Sequence, residues 1–299
     1  MPKILVISGP TATGKTALAE YFAQKYQGEL ISVDSRQIYK GLDIGTGKDH
    51  HTKTKIHLID LITPDQKFSA FDFARLAREK IQEIHSRGHL PILVGGTGYY
   101  LKALLYPQTF TSHNVQNHIL FPLLNILPVN FLKFIYKFLD ANSYNNLNHS
   151  EQNNPHRLVK RILLKLSFIE NWNLKIENFE ADILHLHLTA SNSYIFQKID
   201  QRITARLKAG LLAEITNLLK TYKFSDPGLN TLAYQEFQSY FQKKSDLQAC
   251  IQAWAKHEKQ YVKRQKTFFH QLPKLEFSID HPNWQKQVQL AVKKWYNMQ

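Results

Sequence analysis

The sequence predicts an α/β fold in which a parallel sheet is flanked by helices. Residues 1–106 alternate between short apolar runs, typical of buried strands, and stretches with helical periodicity. The first run, KILVIS, leads into a glycine-rich turn that is followed by a helical pattern. Helices between parallel strands serve as crossovers, and ligands bind at the carboxyl ends of such strands. We therefore expect any ligand site at that edge of the sheet.

The individual elements follow from the same patterns. Strands are predicted at Ile4–Ser8, Leu30–Val33, Ile56–Ile62, Leu90–Val94 and Asp182–Leu188. Helices are predicted at Ala70–His85, Phe131–Leu139, Leu158–Glu170, 194–222 and about 246–270. Proline and asparagine become frequent after residue 107. The predicted organisation is thus a core of residues 1–106 and 181–299, with a small helical insertion at 107–180.

The turn after the first strand, GPTATGKT, fits the phosphate-loop pattern of Gly, four residues, Gly-Lys and Ser/Thr. Its glycines let backbone N–H groups converge on an anion at a helix N-terminus, its lysine adds a positive charge, and its last hydroxyl can ligate Mg²⁺. The predicted phosphate-binding residues are Gly9, Pro10, Thr11, Ala12, Thr13, Gly14, Lys15 and Thr16, with Thr16 as the metal ligand. The pattern predicts a bound di- or triphosphate without distinguishing between them.

Two further polar clusters follow predicted strands. Asp34–Gln37 comes after the second strand and Gly95–Gly98 after the fourth. Because the carboxyl ends of parallel strands lie at one edge of a sheet, the two clusters and the phosphate loop are expected in one pocket.

Composition restricts the class of protein. The 299 residues are 43% hydrophobic, enough for a sizeable core, and their net charge of +14 favours a polyanionic partner, nucleic acid before an acidic membrane surface. Cys250 is the sole cysteine, which excludes an internal disulfide and fits a reducing cytoplasm. No apolar run approaches the roughly 20 residues of a membrane span, and none resembles a signal peptide. We expect a cytoplasmic protein with no membrane partner.

Two basic stripes at helical spacing strengthen the nucleic-acid prediction. Their members are Arg157, Lys160, Arg161 and Lys165 in the insertion, and Lys256, Lys259, Lys263 and Lys266 near the C-terminus. Either stripe alone is more often a solvated helix face. Trp254, Tyr261 and Phe268 recur at seven residues on another face of the second helix, where core packing is expected.

Eight segments of the chain are similar to one known family. They are GPTATGKTALA at 9–19, LISVDSRQIYKGLDIGTGK at 30–48, HLID at 57–60, LPILVGGTGYYLKALL at 90–105, NPHRLVKRIL at 154–163, IDQRITARLKAGLLAEI at 199–215, AYQE at 233–236 and YVKRQKTFF at 261–269. In these segments, which keep the family's order and cover most of the chain outside 107–153, the chain resembles the tRNA dimethylallyltransferases of the bacterial type. The phosphate loop is shared by many enzymes, whereas the second and fourth segments together are far more specific.

The resemblance implies a P-loop kinase-like core and an enzyme that prenylates N6 of the tRNA adenine 3′ to the anticodon, at position 37. By resemblance, the loop binds dimethylallyl diphosphate with Mg²⁺, and a monomer binds the anticodon stem-loop. The implied catalytic residues are Asp34, Thr97, Lys15 and Arg202, with Asp34 accepting the N6 proton. The implied tRNA contacts are Asp34, Ser35, Arg36, Gln37, Thr97, His156, Arg157, Leu158, Val159 and Lys160.

Other interpretations remain open from the sequence. The phosphate loop also suits a small-molecule kinase that uses ATP, and the basic stripes alone suit a non-catalytic RNA-binding protein. Asp34 can instead belong to the second shell of a Mg²⁺ site, and Thr97 can cap the start of a helix. Arg202 can be an ordinary surface residue. His185 and His187 share a strand face without further obvious ligands, so no metal site is expected there.

The chain departs from the family pattern at several positions. His156 and Lys160 replace Gln and Arg, Ala233 replaces a frequent Gly, Glu258-Lys259 replaces Thr-Arg, and Phe268 replaces Trp. Lysine is a point charge where arginine hydrogen-bonds as a fork, so the RNA contact at Lys160 is expected to be looser.

Overall fold

The computed structural model of the protein describes residues 1–48, 54–106, 120–167 and 180–298. The chain divides into two compact units, Met1–Tyr106 with Phe179–Gln299 and Pro107–Asn178. We call them the core unit and the insertion unit, and each is described by itself. The boundaries predicted from composition were 107 and 180.

The core unit contains a six-stranded sheet with every strand pair parallel. Its strands are β1 (Lys3–Ser8), β2 (Gly28–Val33), β3 (Ile56–His57), β4 (Leu90–Gly95), β5 (Asp182–Thr189) and β6 (Leu275–Ser278). Their order across the sheet is β3-β2-β4-β1-β5-β6. The predicted parallel α/β architecture is confirmed, and β1, which ends at the phosphate loop, lies inside the sheet between β4 and β5.

Helices cover the sheet because its strands are apolar on both faces. In the core unit they are α1 (Lys15–Lys25), α2 (Ala70–Ser86), α3 (Gly98–Leu105), α9 (Asn192–Lys208), α10 (Leu211–Leu218), α11 (Gln238–Phe241), α12 (Leu247–Phe269) and α13 (Trp284–Asn297). Leu5 and Ile7 of β1 share an apolar cluster with Phe22 of α1 and Val288 of α13. Residues alternate between faces along a strand, and Ile4–Ile7 are all 0% exposed, so both faces of β1 are covered.

Four elements differ from the sequence prediction. The strand predicted at Ile56–Ile62 ends at His57, because Leu58 and Asp60 adopt positive φ angles of 61° and 54° that a strand cannot continue. The single helix predicted over 194–222 is two helices, separated where Gly210 adopts φ 101°. The structure also contains β6 and α13, which no sequence pattern had indicated.

The insertion unit is a small helical bundle. It contains α4 (Phe121–Ile126), α5 (Val129–Leu139), α6 (Ala141–Asn145), α7 (His149–Gln152) and α8 (Pro155–Ser167). Both predicted helices are present as α5 and α8, and the predicted end of the second, 168–170, lies outside the described residues. Its own apolar core comprises Leu124, Leu132, Tyr136, Leu147, Leu158, Val159, Ile162 and Leu163. In neither unit do the described residues form a helix long and apolar enough to cross a membrane.

Candidate active site

The phosphate loop runs from the end of β1 into the first turn of α1. Gly9 and Gly14 have φ angles of 149° and 76°, and Ala12 shares the left-handed region at 68°. A Cβ at Gly9 would lie 2.3 Å from the Leu188 carbonyl oxygen, so only glycine fits. Left-handed residues in such a turn direct successive N–H groups to one side, where they and the helix N-terminus attract an anion.

Lys15 lies partly buried within this loop. Its Nζ donates to the Pro10 carbonyl at 2.6 Å, as does the Thr13 hydroxyl at 2.9 Å. Burial and, to a lesser extent, the Arg202 cation lower the pKa of Lys15 to about 7, although Asp34 partly opposes both effects. The Arg202 cation thus disfavours the protonated form of Lys15, and a bound anion would relieve this repulsion.

Asp34 and Thr97 occupy the loops after the neighbouring strands β2 and β4. One Asp34 oxygen, Oδ1, accepts the Arg36 N–H at 2.9 Å, which orients the carboxylate. Thr97 is the residue preceding α3, yet its side chain makes no capping bond to that helix. Its hydroxyl instead accepts the Ser35 N–H at 3.1 Å. The loops that carry the predicted catalytic residues are therefore joined by the Thr97 side chain.

Gln37 completes the loop after β2. Its side-chain oxygen accepts the Ser32 hydroxyl at 2.9 Å, and its amide donates to the Gly47 carbonyl at 3.3 Å. The amide is thus occupied by its own unit, which favours a structural role over the predicted RNA contact.

Arg202 projects from α9 into the same region as Arg36. The buried Glu258 carboxylate lies 3.6 Å from Arg36 and 3.9 Å from Arg202. The Arg36 guanidinium also lies 4.5 Å from the ring centre of Tyr261. Burial lowers the pKa of Arg202, and Glu258 opposes this effect. The structure therefore brings Lys15, Asp34 and Arg202 into one cluster of interacting charges, together with Arg36 and Glu258.

Helix α12 forms part of this site, which sequence reasoning missed. The Tyr261 hydroxyl hydrogen-bonds to the Thr97 side chain, and burial raises its pKa. Gln265 contacts both the phosphate loop and the glycine turn before α3. Of the aromatic series predicted to be core, Trp254 is fully buried, whereas Tyr261 faces the site. The only sequence signal was the similarity of residues 261–269 to the family, because no chemical pattern marks a glutamine or tyrosine on a helix.

The segment Asp43–Lys48, the DIGTGK of the family pattern, is held by distant residues. The Glu214 carboxylate accepts the N–H groups of Asp43, Ile44 and Gly45 at 2.7–3.1 Å and the Tyr234 hydroxyl at 2.7 Å. The buried Arg206 donates to the Gly45 carbonyl at 2.7 Å. Three segments that resemble the family in sequence therefore meet here and shape one loop.

The basic stripe of α12 is less continuous than its spacing predicted. Lys259 forms an ion pair with Asp200 at 2.8 Å, and Lys266 donates to the Ala190 carbonyl at 2.7 Å. The side chains of Lys256 and Lys263 are exposed, and neither forms a hydrogen bond or ion pair with a described residue. The surface available to a polyanion is therefore this pair, seven residues apart, rather than all four lysines.

The insertion unit places the predicted RNA segment 156–160 at the start of α8. His156 and Arg157 are exposed, and Lys160 is half-buried. Leu158 and Val159 are 0% exposed within the apolar core of the unit. Helical periodicity turns these two side chains inward, while their neighbours face the solvent. The contact of residues 156–160 with tRNA stays a prediction.

His185 and His187 form a buried hydrogen-bonded group with Ser8. The Pro273 carbonyl accepts the Nδ1–H of His185 at 2.9 Å, so the Nε2 of His185 accepts the Ser8 hydroxyl at 2.7 Å. The Ser8 oxygen then accepts the Nδ1–H of His187 at 2.8 Å. Burial lowers the pKa values of His185 and His187 to about 4 and about 3. Both rings are therefore neutral beneath the phosphate loop.

A divalent cation has few protein ligands to use. Within the described ranges, no group of three or more His, Cys, Asp or Glu side chains could hold a metal ion. Mg²⁺ bound mainly through phosphate oxygens and water needs no such group. The Thr16 hydroxyl, on the first turn of α1, has no hydrogen-bond partner among the described residues, so it fits this mode of binding.

The chain is similar to proteins of one family over most of its length. The family model described as IPP transferase matches residues 37–272. The tRNA dimethylallyltransferase of Chloroflexus aurantiacus is 34% identical over 295 residues, covering 96% of this chain and 99% of the relative. That of Bacillus pumilus is 32% identical, covering 89% and 86%.

The chain belongs to the IPP transferase family. It is an enzyme that transfers a prenyl group, and the comparisons support this prediction rather than the kinase. Among solved structures, a tRNA isopentenylpyrophosphate transferase from Staphylococcus epidermidis is 29% identical with a TM-score of 0.72, and the alignment covers 98% of this chain and 99% of that one. A eukaryotic dimethylallyltransferase acting on tRNA has a TM-score of 0.82 at 22% identity, which shows the shared fold.

Proposed function

We propose that this enzyme transfers the dimethylallyl group of dimethylallyl diphosphate to N6 of the adenine 3′ to the tRNA anticodon, at position 37. The family supports the reaction, and the site supports the donor. The observation that carries the proposal is the cluster of Lys15, Arg202 and Arg36 beside the phosphate loop, in which Glu258 lies 3.9 Å from Arg202 and 3.6 Å from Arg36. The Arg202 cation lowers the pKa of Lys15, and a bound anion would relieve this repulsion. A diphosphate supplies that anion.

The donor's diphosphate binds the N–H groups of the loop, and Thr16 with the phosphate oxygens would hold Mg²⁺. When bound, Mg²⁺ would neutralise part of the charge that develops on the leaving group. Lys15 and Arg202 perform the same electrostatic function from the protein, which lowers the cost of breaking the bond between C1 and oxygen.

Asp34 acts on the nucleophile. The exocyclic amine of adenine is a weak nucleophile because its lone pair is delocalised into the ring, so a base that accepts its proton assists the attack. The Arg36 N–H holds Asp34 Oδ1, while Oδ2 has no partner among the described residues. N6 attacks C1, diphosphate leaves with the bonding electrons, and the N6 proton passes to Asp34. Thr97, bonded to the loop of Asp34, positions this reacting centre.

The target base must leave its stack to reach Asp34. We propose that Asp34, Ser35 and Arg36 contact this part of the tRNA, and that His156, Arg157 and Lys160 contact its backbone. We further propose that the enzyme acts as a monomer in the cytoplasm, where its tRNA substrate occurs.

The direct test uses the purified protein with Mg²⁺, labelled dimethylallyl diphosphate and unmodified tRNA, followed by nucleoside analysis. N6-dimethylallyladenosine should appear in tRNAs with adjacent adenines 3′ to the anticodon, and ATP should not be required. A tRNA with guanine at position 37 is the matched control and should stay unlabelled. Label in that control, or no label in either tRNA, would contradict the proposal.

A further inference from the structure

One side chain of α12 joins two loops of the site. Gln265 Oε1 accepts the N–H of Thr11 in the phosphate loop at 3.3 Å, and Gln265 Nε2 donates to the Gly96 carbonyl at 2.9 Å. These partners fix the orientation of the amide, because a backbone N–H requires the oxygen and a carbonyl requires the NH₂ group. The amide therefore presents an oxygen to the phosphate loop.

The amide has little freedom to move away. Gln265 is buried, and a Cβ at Gly96 would lie 2.4 Å from its Nε2. A Cβ at Gly98 would likewise lie 2.4 Å from a ring carbon of Phe268, one turn further along α12. The glycine turn is thus shaped to admit this helix. Displacing Gln265 would leave buried polar groups without partners, which is costly.

The position of Gln265 limits what the loop can bind. Thr11 contributes one of the N–H donors of GPTATGKT, and a protein oxygen already occupies it. A bound anion can still accept hydrogen bonds from the loop N–H groups that follow Thr11, and from Lys15. A longer phosphate chain that reached Thr11 would have to displace the Gln265 oxygen, and its own negative oxygens would be repelled by that oxygen.

We propose that Gln265 is a specificity-determining residue that restricts this phosphate loop to diphosphates and excludes triphosphates. The inference rests on the proposed function only for the identity of the natural donor. It explains how a loop pattern shared with ATP-binding enzymes serves a diphosphate ester, because the selecting group lies about 250 residues away on α12.

The test measures binding of inorganic pyrophosphate and tripolyphosphate, each with Mg²⁺, to the full-length protein by calorimetry. The variants are Gln265→Met, of similar volume, and Gln265→Ala. Gln260→Ala, an exposed glutamine on the same helix, is the matched control. The parent should prefer pyrophosphate. Both Gln265 variants should reduce that preference roughly tenfold or more, the size of a hydrogen bond to a charged group.

The ratio of the two affinities separates selection from general damage, since a loosened fold weakens both ligands alike. A folded Gln265→Met protein with the parental ratio would overturn the proposal, as would a parent that prefers tripolyphosphate. Because the ratio needs no tRNA, it also separates this proposal from the reaction. Prenyl transfer with an unchanged ratio contradicts the role of Gln265 alone, whereas a changed ratio without prenyl transfer contradicts the reaction alone.

Discussion

The positive charges of the core unit's site and those of the exposed helix faces have different surroundings. Lys15, Arg36 and Arg202 are partly buried and interact with Asp34 and Glu258. Charges in such surroundings are weakly screened by salt and can recognise one small anion in a fixed place.

The exposed charges lie in water. Arg157 of α8, and Lys256 and Lys263 of α12, face the solvent. Such charges attract an extended polyanion through release of its counterions, and they lose strength as salt rises. The comparison indicates that basic residues have two functions here: the buried ones bind the diphosphate and the exposed ones bind RNA. Mutations should separate these two functions.

The largest effect is expected at Asp34. Asp34→Asn removes the proton acceptor while keeping the size of the side chain, so turnover should fall by roughly 10²–10⁴-fold, the usual contribution of a general base. Single-turnover rates measure the chemical step, and donor binding should change little. Near-normal turnover would contradict this role and would mean that Asp34 either belongs to the second shell of a metal site or stabilises its own loop.

The next effect concerns Lys15, whose pKa of about 7 in the free protein should rise when diphosphate binds. Above pH 7 the free lysine loses its proton and must regain it on binding. Donor affinity should therefore fall as pH rises, by up to about tenfold per pH unit. Calorimetry in buffers of different ionisation enthalpy should detect proton uptake. Lys15→Met should bind weakly and show neither effect; proton uptake that persists in this variant would place the titrating group elsewhere.

A smaller effect is expected on α12. Replacing Lys256 and Lys263 together by Gln should reduce the slope of log tRNA affinity against log salt by about 1.4–1.8, the release expected for two phosphate contacts. The matched control replaces Lys259 and Lys266, which are already bonded within the unit, and should leave the slope unchanged. Equal slopes for both double variants and the parent would mean that this face is merely solvated.

The smallest effect is expected on α8. Arg157→Gln should lower the same slope by about 0.7–0.9 without changing donor affinity. Arg161→Gln is its control, because Arg161 forms an ion pair with Glu151 at 2.7 Å within the insertion unit. If Arg161→Gln lowers the slope and Arg157→Gln does not, the assignment of the RNA-facing side of α8 is reversed.

Short contiguous patterns made much of the fold and part of the site predictable. Buried parallel strands appear in the sequence as continuous apolar runs, and the phosphate-binding motif is recognisable from eight consecutive residues. The contributions of Glu258, Tyr261 and Gln265 were not predictable, because they arise from contacts between residues far apart in sequence. Gly210 was equally ambiguous: glycine is tolerated inside helices, and only its φ angle shows that one helix ends there.

The neutral histidines beneath the phosphate loop make the folded state less stable as the pH falls below about 6.5. An unfolded chain protonates its histidines near pH 6.5, whereas His185 and His187 resist protonation in the fold until about pH 4 and about pH 3. Between these values acid favours the unfolded state, and the lost stability reaches the order of several kcal/mol. Both rings bond to Ser8, the residue immediately before the loop. Acid tolerance and donor binding therefore depend on the same end of β1.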